Sequence, residues 1–150
     1  MPQLNWNLKS EAWDNIDKIL TTKDWKSIKF LFDSRVFLPK TKGIYMISLS
    51  SNKIANVKPF STLVTPVYIG ISTNLRKRFV DHTYGNNEAL FRKHLFDFRG
   101  SVKFWWLEVD VDITKLKMFE QSLIDLFGGS LNQINSVAEN KIVIKTLKET

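Results

Sequence analysis

Three stretches of the chain decide its fold. Residues 43–49 read Gly-Ile-Tyr-Met-Ile-Ser-Leu, residues 66–71 read Pro-Val-Tyr-Ile-Gly-Ile, and residues 72–82 read Ser-Thr-Asn-Leu-Arg-Lys-Arg-Phe-Val-Asp-His. The first two are rich in β-branched and aromatic residues and are bounded by Gly, Pro, Ser and Asn, which is typical of strands. The third begins with N-cap residues and places Leu75 and Phe79 one turn apart, which is typical of an amphipathic helix. We therefore predict a strand, a long hairpin connection, a second strand and a helix.

Two tripeptides inside the predicted strands carry a recognisable signature. Gly43-Ile44-Tyr45 comes first and Tyr68-Ile69-Gly70 second, and these tripeptides contain two of the three tyrosines in the chain. With the Asn-Leu-Arg-x-Arg run that follows, they make the chain resemble the GIY-YIG nuclease superfamily. The alternative interpretation is a plain β-hairpin with aromatic core residues.

The resemblance covers roughly residues 43–135 and implies an α/β fold of the α+β type. The implied domain is a small three-stranded antiparallel sheet flanked by helices, with residues 102–109 as its third strand. That run, Val-Lys-Phe-Trp-Trp-Leu-Glu-Val, is the most strand-like in the chain. Because neighbouring side chains of a strand point to opposite faces, core packing is the expected use of at least one tryptophan. Base stacking is the alternative use.

The first forty residues are predicted to be a helical extension of this domain, which gives the division 1–40 and 41–150 within one compact unit. Ser10 is an N-cap candidate for a helix over about 11–21, and a second helix is predicted from about 23 to 32. Their apolar stripes are Trp13, Ile16 and Leu20 in the first, and Trp25, Ile28 and Phe32 in the second. Pro39 prevents a helix from continuing into the first strand.

Composition limits the class of protein. A chain of 150 residues is expected to be one domain, and its 43% hydrophobic and 25% charged residues are ordinary for a globular protein. No apolar run approaches the ~18 residues of a membrane-spanning helix, and no secretory signal is recognisable. The absence of cysteine excludes disulfides, thiolate metal sites and cysteine nucleophiles. It also fits a reducing compartment, so a cytoplasmic location is expected.

The charge balance favours an anionic partner. The chain has 22 Lys and Arg residues against 15 Asp and Glu residues, a net charge of +7. Basic proteins bind phosphate backbones by releasing condensed counterions. Many proteins are moderately basic without such a function, so charge alone favours nucleic acid only slightly.

Two segments between the predicted strands are candidates for recognition. The 46–67 connection is longer than the hairpin usual in the family, and loops on a rigid scaffold often carry specificity. A short helix is predicted over about 88–96, where Arg92, Lys93 and His94 add positive charge.

A predicted helix over 115–127 contains an acidic residue within its apolar face. Leu116, Phe119, Leu123 and Phe127 form that face, and Glu120 falls among them. An unpaired buried carboxylate is costly, so Glu120 is expected to face a cleft, pair with a cation or bind a metal. The alternative is a glutamate at the edge of the stripe that reaches water.

The resemblance assigns roles to particular residues. The metal-binding glutamate of the family corresponds to Glu120, and its asparagine twelve residues later corresponds to Asn132. The chain departs from the family by Gly-Gly-Ser where members often have proline. Arg78 stands ten residues after Tyr68, at the position of the invariant arginine, and would hold the scissile phosphate. His82 follows one turn later and is either catalytic or structural.

The implied function is a divalent-metal-dependent endonuclease that cuts DNA. Mg²⁺ or Mn²⁺ would bind Glu120, Tyr45 would deprotonate or orient a water, Tyr68 would align the phosphate and Asn132 would brace the site. The expected contacts with DNA are Arg76, Lys77, Arg78, Arg92 and Lys93. Two alternatives remain: a nucleic-acid-binding module without catalysis, and a protein-interaction domain that uses the aromatic N-terminal helices. Whether the chain is a monomer or a homodimer stays open.

Overall fold

A computed structural model of the chain describes residues 10–50, 57–59, 65–84 and 101–127. In chain order, the elements are α1 (Ser10–Asp14), α2 (Lys18–Thr22), β1 (Lys26–Lys29), a 3₁₀ helix (Phe32–Phe37), β2 (Gly43–Ser50), β3 (Thr65–Ser72), α3 (Leu75–Tyr84), β4 (Ser101–Glu108) and α4 (Ile113–Phe127). The two signature strands, the helix after them, the later strand and the helix with Glu120 were all predicted at these places within a few residues.

The described strands form one antiparallel sheet in the order β1-β4-β2-β3. Strand β2 lies inside the sheet, so Tyr45 has a neighbour on each side: Gly70 on β3 and Trp106 on β4. The predicted α+β class with an antiparallel sheet and flanking helices is confirmed. The sheet has four strands and not the predicted three, because β1 from the N-terminal region adds to its edge.

The helix predicted over 23–32 is wrong, because Lys26–Lys29 is an edge strand paired with β4. The spacing of Trp25 and Ile28 fits a helix, but the structure sends these side chains to opposite faces of the sheet. Trp25 packs with the cluster under α4, and Ile28 packs with the cluster under α3. Burial on both faces is obtained only by an extended chain, which alternates its side chains.

The helix predicted over 11–21 is divided into two short helices. Asp17 caps α2, because its Oδ1 accepts a hydrogen bond from the backbone N–H of Ile19 at 2.9 Å while its own backbone is extended. The division leaves Trp13 exposed, whereas Leu20 joins the core. The 1–40 and 41–150 division stays a prediction, with β1 of the first part paired to β4 of the second.

Within the described ranges, the buried apolar residues form two clusters on opposite faces of the sheet. One lies under α3 and includes Tyr45, Ile47, Tyr68, Leu75, Phe79, Phe104 and Trp106. The other lies under α4 and includes Leu20, Ile44, Ile69, Leu107, Leu116, Phe119 and Leu123. The first cluster contains both signature tyrosines, Tyr45 and Tyr68, so the face under α3 is the one whose side chains can take part in a reaction.

Several predicted features lie outside the described residues: the 88–96 helix, residues 51–56 and 60–64 of the 46–67 connection, and the tail from 128 onwards, including Asn132. Within the part of the chain that the structure describes, no helix has the length and apolar character needed to cross a bilayer.

Candidate active site

Tyr45 lies at the centre of the aromatic cluster. It is completely buried on β2, and its ring packs against Phe104 at 5.0 Å, His82 at 5.4 Å and Tyr68 at 5.8 Å between centroids. Rings on three sides restrict the rotation of this side chain. Its hydroxyl is therefore fixed in position before any substrate arrives.

The Tyr45 hydroxyl contacts two residues of α3. It lies 2.7 Å from Nε2 of His82, and it accepts a hydrogen bond from Nε of Arg78 at 3.2 Å. Arg78 and His82 are four residues apart, so they leave the helix on the same side. The prediction that these two residues share a side of the helix is confirmed, and both point at the first signature tyrosine.

The start of α3 is fixed by local capping. Asn74 Oδ1 accepts a hydrogen bond from the backbone N–H of Lys77 at 3.0 Å, and Ser72 Oγ accepts one from the N–H of Asn74 at 3.0 Å. Because these bonds set where the first turn begins, they also set which residues face the sheet. The Ser-Thr-Asn run after the second signature therefore positions Arg78 and His82.

Gly70 makes room for the Tyr45 ring. A Cβ placed on Gly70 would lie 2.5 Å from Cζ and 2.9 Å from Cε1 of Tyr45, closer than real contacts allow. In the sequence, Gly70 is only the last residue of the second signature, and its packing role follows from the pairing of the strands. The sequence contains a signal for this role: when the two tripeptides pair as antiparallel strands, the tyrosine of one can lie opposite the glycine of the other.

Burial dominates the acidity of the central phenol. It raises the pKa of Tyr45 well above its ordinary value, and the neighbouring Tyr68, which shares a side-chain hydrogen bond with it, raises the pKa further. The Arg78 guanidinium acts in the opposite direction. At neutral pH the phenol is therefore protonated, and it releases a proton only if a neighbouring base accepts it. His82 is within hydrogen-bond distance for that purpose.

Tyr68 completes the cluster on β3. It is 4% exposed, and its ring centroid lies 5.3 Å from that of His82 at an interplanar angle of 71°. The structure thus brings together four predicted site residues, Tyr45, Tyr68, Arg78 and His82.

Glu120 lies on α4, whose buried residues pack on the other face of the sheet against β2 and β3. Its side chain is half-buried, and desolvation raises its pKa, with Lys117 opposing the shift. Glu120 is therefore partly desolvated on an otherwise apolar face, and its role as a metal ligand stays a prediction. None of the contacts described for the chain joins Glu120 to Tyr45 or Arg78.

A divalent cation fits Glu120 by the chemistry of its donor. The carboxylate is partly desolvated, and within the described ranges it has no hydrogen-bond or ion-pair partner. In the same ranges, no three or more His, Cys, Asp or Glu side chains lie close enough together to hold a metal ion. A cation at Glu120 would therefore rely on one protein carboxylate, with water and phosphate as further ligands, which is a common arrangement for Mg²⁺.

The basic residues of α3 differ in their surroundings. Arg76 donates from Nε to the carbonyl of Leu38 at 2.7 Å and from Nη2 to that of Val36 at 3.2 Å. It therefore ties the 3₁₀ helix to α3, a role that the sequence did not indicate. Lys77 is exposed. The other expected contacts with DNA, Arg92 and Lys93, lie outside the described residues.

Comparison with known protein families identifies the family of the chain. The family model described as the GIY-YIG catalytic domain matches residues 41–135. The chain therefore belongs to the GIY-YIG family, a family of nucleases that hydrolyse phosphodiester bonds. Its substrate class is nucleic acid, and members typically use a divalent metal. No curated protein and no solved structure matches the chain significantly.

Proposed function

We propose that the protein is a divalent-metal-dependent endonuclease that hydrolyses phosphodiester bonds of DNA. The observation that carries the proposal is the Tyr45 hydroxyl, which is buried, fixed by rings and placed between Arg78 at 3.2 Å and His82 at 2.7 Å. A hydroxyl between a cation and a base is suited to position and deprotonate a nucleophile next to an anionic substrate.

The proposed reaction forms a bond between a water oxygen and phosphorus and breaks one P–O bond of the strand. Tyr45 accepts a proton from the water while its own proton passes to His82, in the imidazole tautomer whose Nε2 is unprotonated. Arg78 holds the phosphate and offsets the charge that develops on it. Tyr68, which packs on both Tyr45 and His82, keeps the two partners aligned.

Glu120 is the proposed ligand of Mg²⁺ or Mn²⁺. Partial desolvation raises the pKa of the Glu120 carboxyl because it disfavours the charged form, and a bound dication would favour that charged form. When bound, the cation supplies Lewis-acid stabilisation of the phosphate and the leaving oxygen. Asn132 is proposed to brace the site by hydrogen bonding.

DNA is the proposed substrate, with Arg76, Lys77, Arg78, Arg92 and Lys93 as contacts to its backbone. The net charge of +7 supports a polyanionic partner. The absence of cysteine supports a reducing compartment, and we propose the cytoplasm.

The test is cleavage of supercoiled plasmid in Mg²⁺ and in EDTA by wild type, Tyr45→Phe and Tyr84→Phe. Wild type and Tyr84→Phe should cut only with metal, whereas Tyr45→Phe should lose most activity because the positioned hydroxyl is gone. Equal activity of the two variants would show that Tyr45 of the first signature has a packing role only. Binding of plasmid without cleavage by wild type would favour the alternative of an inactive binding module. Sequencing the cut ends would then define the target.

A further inference from the structure

The 3₁₀ helix lies lengthwise along α3. At one end the Phe32 ring contacts the ring of Tyr84, the last residue of α3, with centroids 5.0 Å apart. At the other end Arg76 binds the carbonyls of Val36 and Leu38. The two segments therefore run in opposite directions and are fastened at both ends, so their joint surface is preorganised.

This joint surface flanks α3 on the side away from Tyr45. Arg76 and Arg78 are two residues apart, which is about 200° around a helix. Since Arg78 is directed at Tyr45, the 3₁₀ helix held by Arg76 lies across the helix from it. The width of a helix with its side chains is about 10 Å, so the surface is close to the proposed reaction centre but separate from it.

Exposed apolar side chains concentrate on this surface. Among the described residues, nine large apolar side chains are exposed, and four of them belong to the 3₁₀ helix, the residue before it and the end of α3. They are Leu31 at 52%, Val36 at 59%, Phe37 at 68% and Tyr84 at 68%. An exposed apolar patch that is also rigid indicates a binding site more often than chance exposure.

The net charge of the surface indicates which kind of partner it binds. Without Arg78, which faces Tyr45 across α3, the segments 31–40 and 75–84 contain four basic residues and two acidic ones, a net of +2. The basic residues are Arg35, Lys40, Arg76 and Lys77, and the acidic ones are Asp33 and Asp81. The Arg35 guanidinium lies 3.9 Å from the centroid of the Phe32 ring. Aromatic rings interleaved with cations match a nucleic acid strand, because bases stack on rings and phosphates bind the cations. A second copy of this basic chain matches less well, since like charges would meet.

We propose that the surface formed by Phe32, Arg35 and Tyr84 stacks an unpaired base of the substrate strand. For the identity of the substrate, this inference rests on the proposed function. A stacked strand rises about 3.4 Å per nucleotide, so the ~10 Å width of α3 corresponds to about three nucleotides. The stacked base therefore lies about three nucleotides from the phosphate that Arg78 holds.

The direct test measures binding in EDTA by fluorescence anisotropy. The probes are a single-stranded oligothymidylate and an oligonucleotide of the same length and charge that consists of abasic residues. Wild type should prefer the base-containing probe. Tyr84→Ala should lose about 5- to 150-fold of affinity for that probe only, the range expected for one stacked base. Tyr84→Phe keeps the ring and should bind like wild type.

Met118→Ala is the matched control, because Met118 is a large apolar side chain of similar exposure, 58%, on the helix at the other face of the sheet. It should leave both affinities unchanged. If Tyr84→Ala weakens both probes equally, or neither, the stacking site is refuted. A shift of Tyr84→Ala from dimer to monomer in sedimentation, with base preference intact, would refute it as well and identify a protein interface.

A second measurement separates this inference from the proposed function. Single abasic sites are moved along a cleavable substrate, and Mg²⁺-dependent cutting is compared between wild type and Tyr84→Ala. The wild-type rate should fall most when the abasic site is about three nucleotides from the cut, by the spacing above. A cleavage rate that is normal and does not depend on the position of the abasic site refutes stacking and leaves the proposed nuclease function standing. Tyr84-dependent binding without any cutting supports stacking and refutes the proposed nuclease activity.

Discussion

Replacing Gly70 with alanine should inactivate the protein by moving Tyr45. The new Cβ would lie 2.5 Å from Cζ of Tyr45, whereas carbon atoms in contact are about 3.5 Å apart or more. The ring must therefore move by about 1 Å, by the same contact distance. It cannot rotate freely, because Phe104 and Tyr68 stack beside it.

A displacement of this size would disrupt the contacts of the hydroxyl. The 3.2 Å bond from Arg78 is already long, so a shift of about 1 Å would take it beyond hydrogen-bond range. A misplacement of about 1 Å costs about 10²-fold in rate. Forcing a methyl group into a packed core also costs about 1–3 kcal/mol of stability.

The assay is single-turnover cleavage in Mg²⁺ with melting temperatures measured in parallel. Leu20→Ala is the stability control: it should lose about 2–5 kcal/mol on the opposite face and still cut normally well below its melting temperature. In a double-mutant cycle, Gly70→Ala should cause little further loss in a Tyr45→Phe background, because the hydroxyl is already absent. Normal cleavage by Gly70→Ala, or fully additive losses, would refute the reasoning.

Three further predictions concern charged residues around the sheet. Arg78→Ala should lower the cleavage rate about 10²–10³-fold with a smaller loss of DNA affinity, which titration of a labelled duplex measures. Arg76→Ala should instead lose about 1–3 kcal/mol of stability, because two carbonyls lose a charged donor, while single-turnover cleavage stays within a few fold. Glu120→Gln should abolish metal-dependent cleavage and raise the free energy of unfolding in EDTA at neutral pH. Because burial raises the pKa of Glu120, the native state favours its protonated form, so that gain should vanish in acid, as denaturation at several pH values would show.

The strands and helices that carry the site were predictable because their signals are local. Short runs rich in β-branched and aromatic residues, bounded by Gly, Pro, Ser and Asn, mark β2 and β3, and Ser72 and Asn74 mark the start of α3. The spacing of Arg78 and His82 then fixes their common side by helix geometry alone. These features depend on neighbours within about one turn, which is the range that a sequence pattern can describe.

Strand β1 was not predictable in the same way. Its residues satisfy a helical spacing, and the decision between helix and strand depends on pairing of Lys26 and Ile28 with Trp106 and Phe104, far along the chain. An edge strand gains its hydrogen bonds only where a partner with a free edge exists, so tertiary context overrides the local pattern. The same limit applies to Arg76, whose carbonyl partners belong to the 3₁₀ helix.

The pairing of the two signatures explains why the site tolerates one register only. A slip by one residue would turn Tyr45 to the other face of the sheet, where its hydroxyl would be buried among the aliphatic residues under α4. A slip by two would keep the face but set Tyr45 opposite Tyr68 or Ser72. Either residue would bring a Cβ against the Tyr45 ring, as a Cβ added at Gly70 would, whereas Gly70 itself has none. The glycine that admits the ring therefore also selects the register, and with it the place where the Tyr45 hydroxyl meets Arg78 and His82.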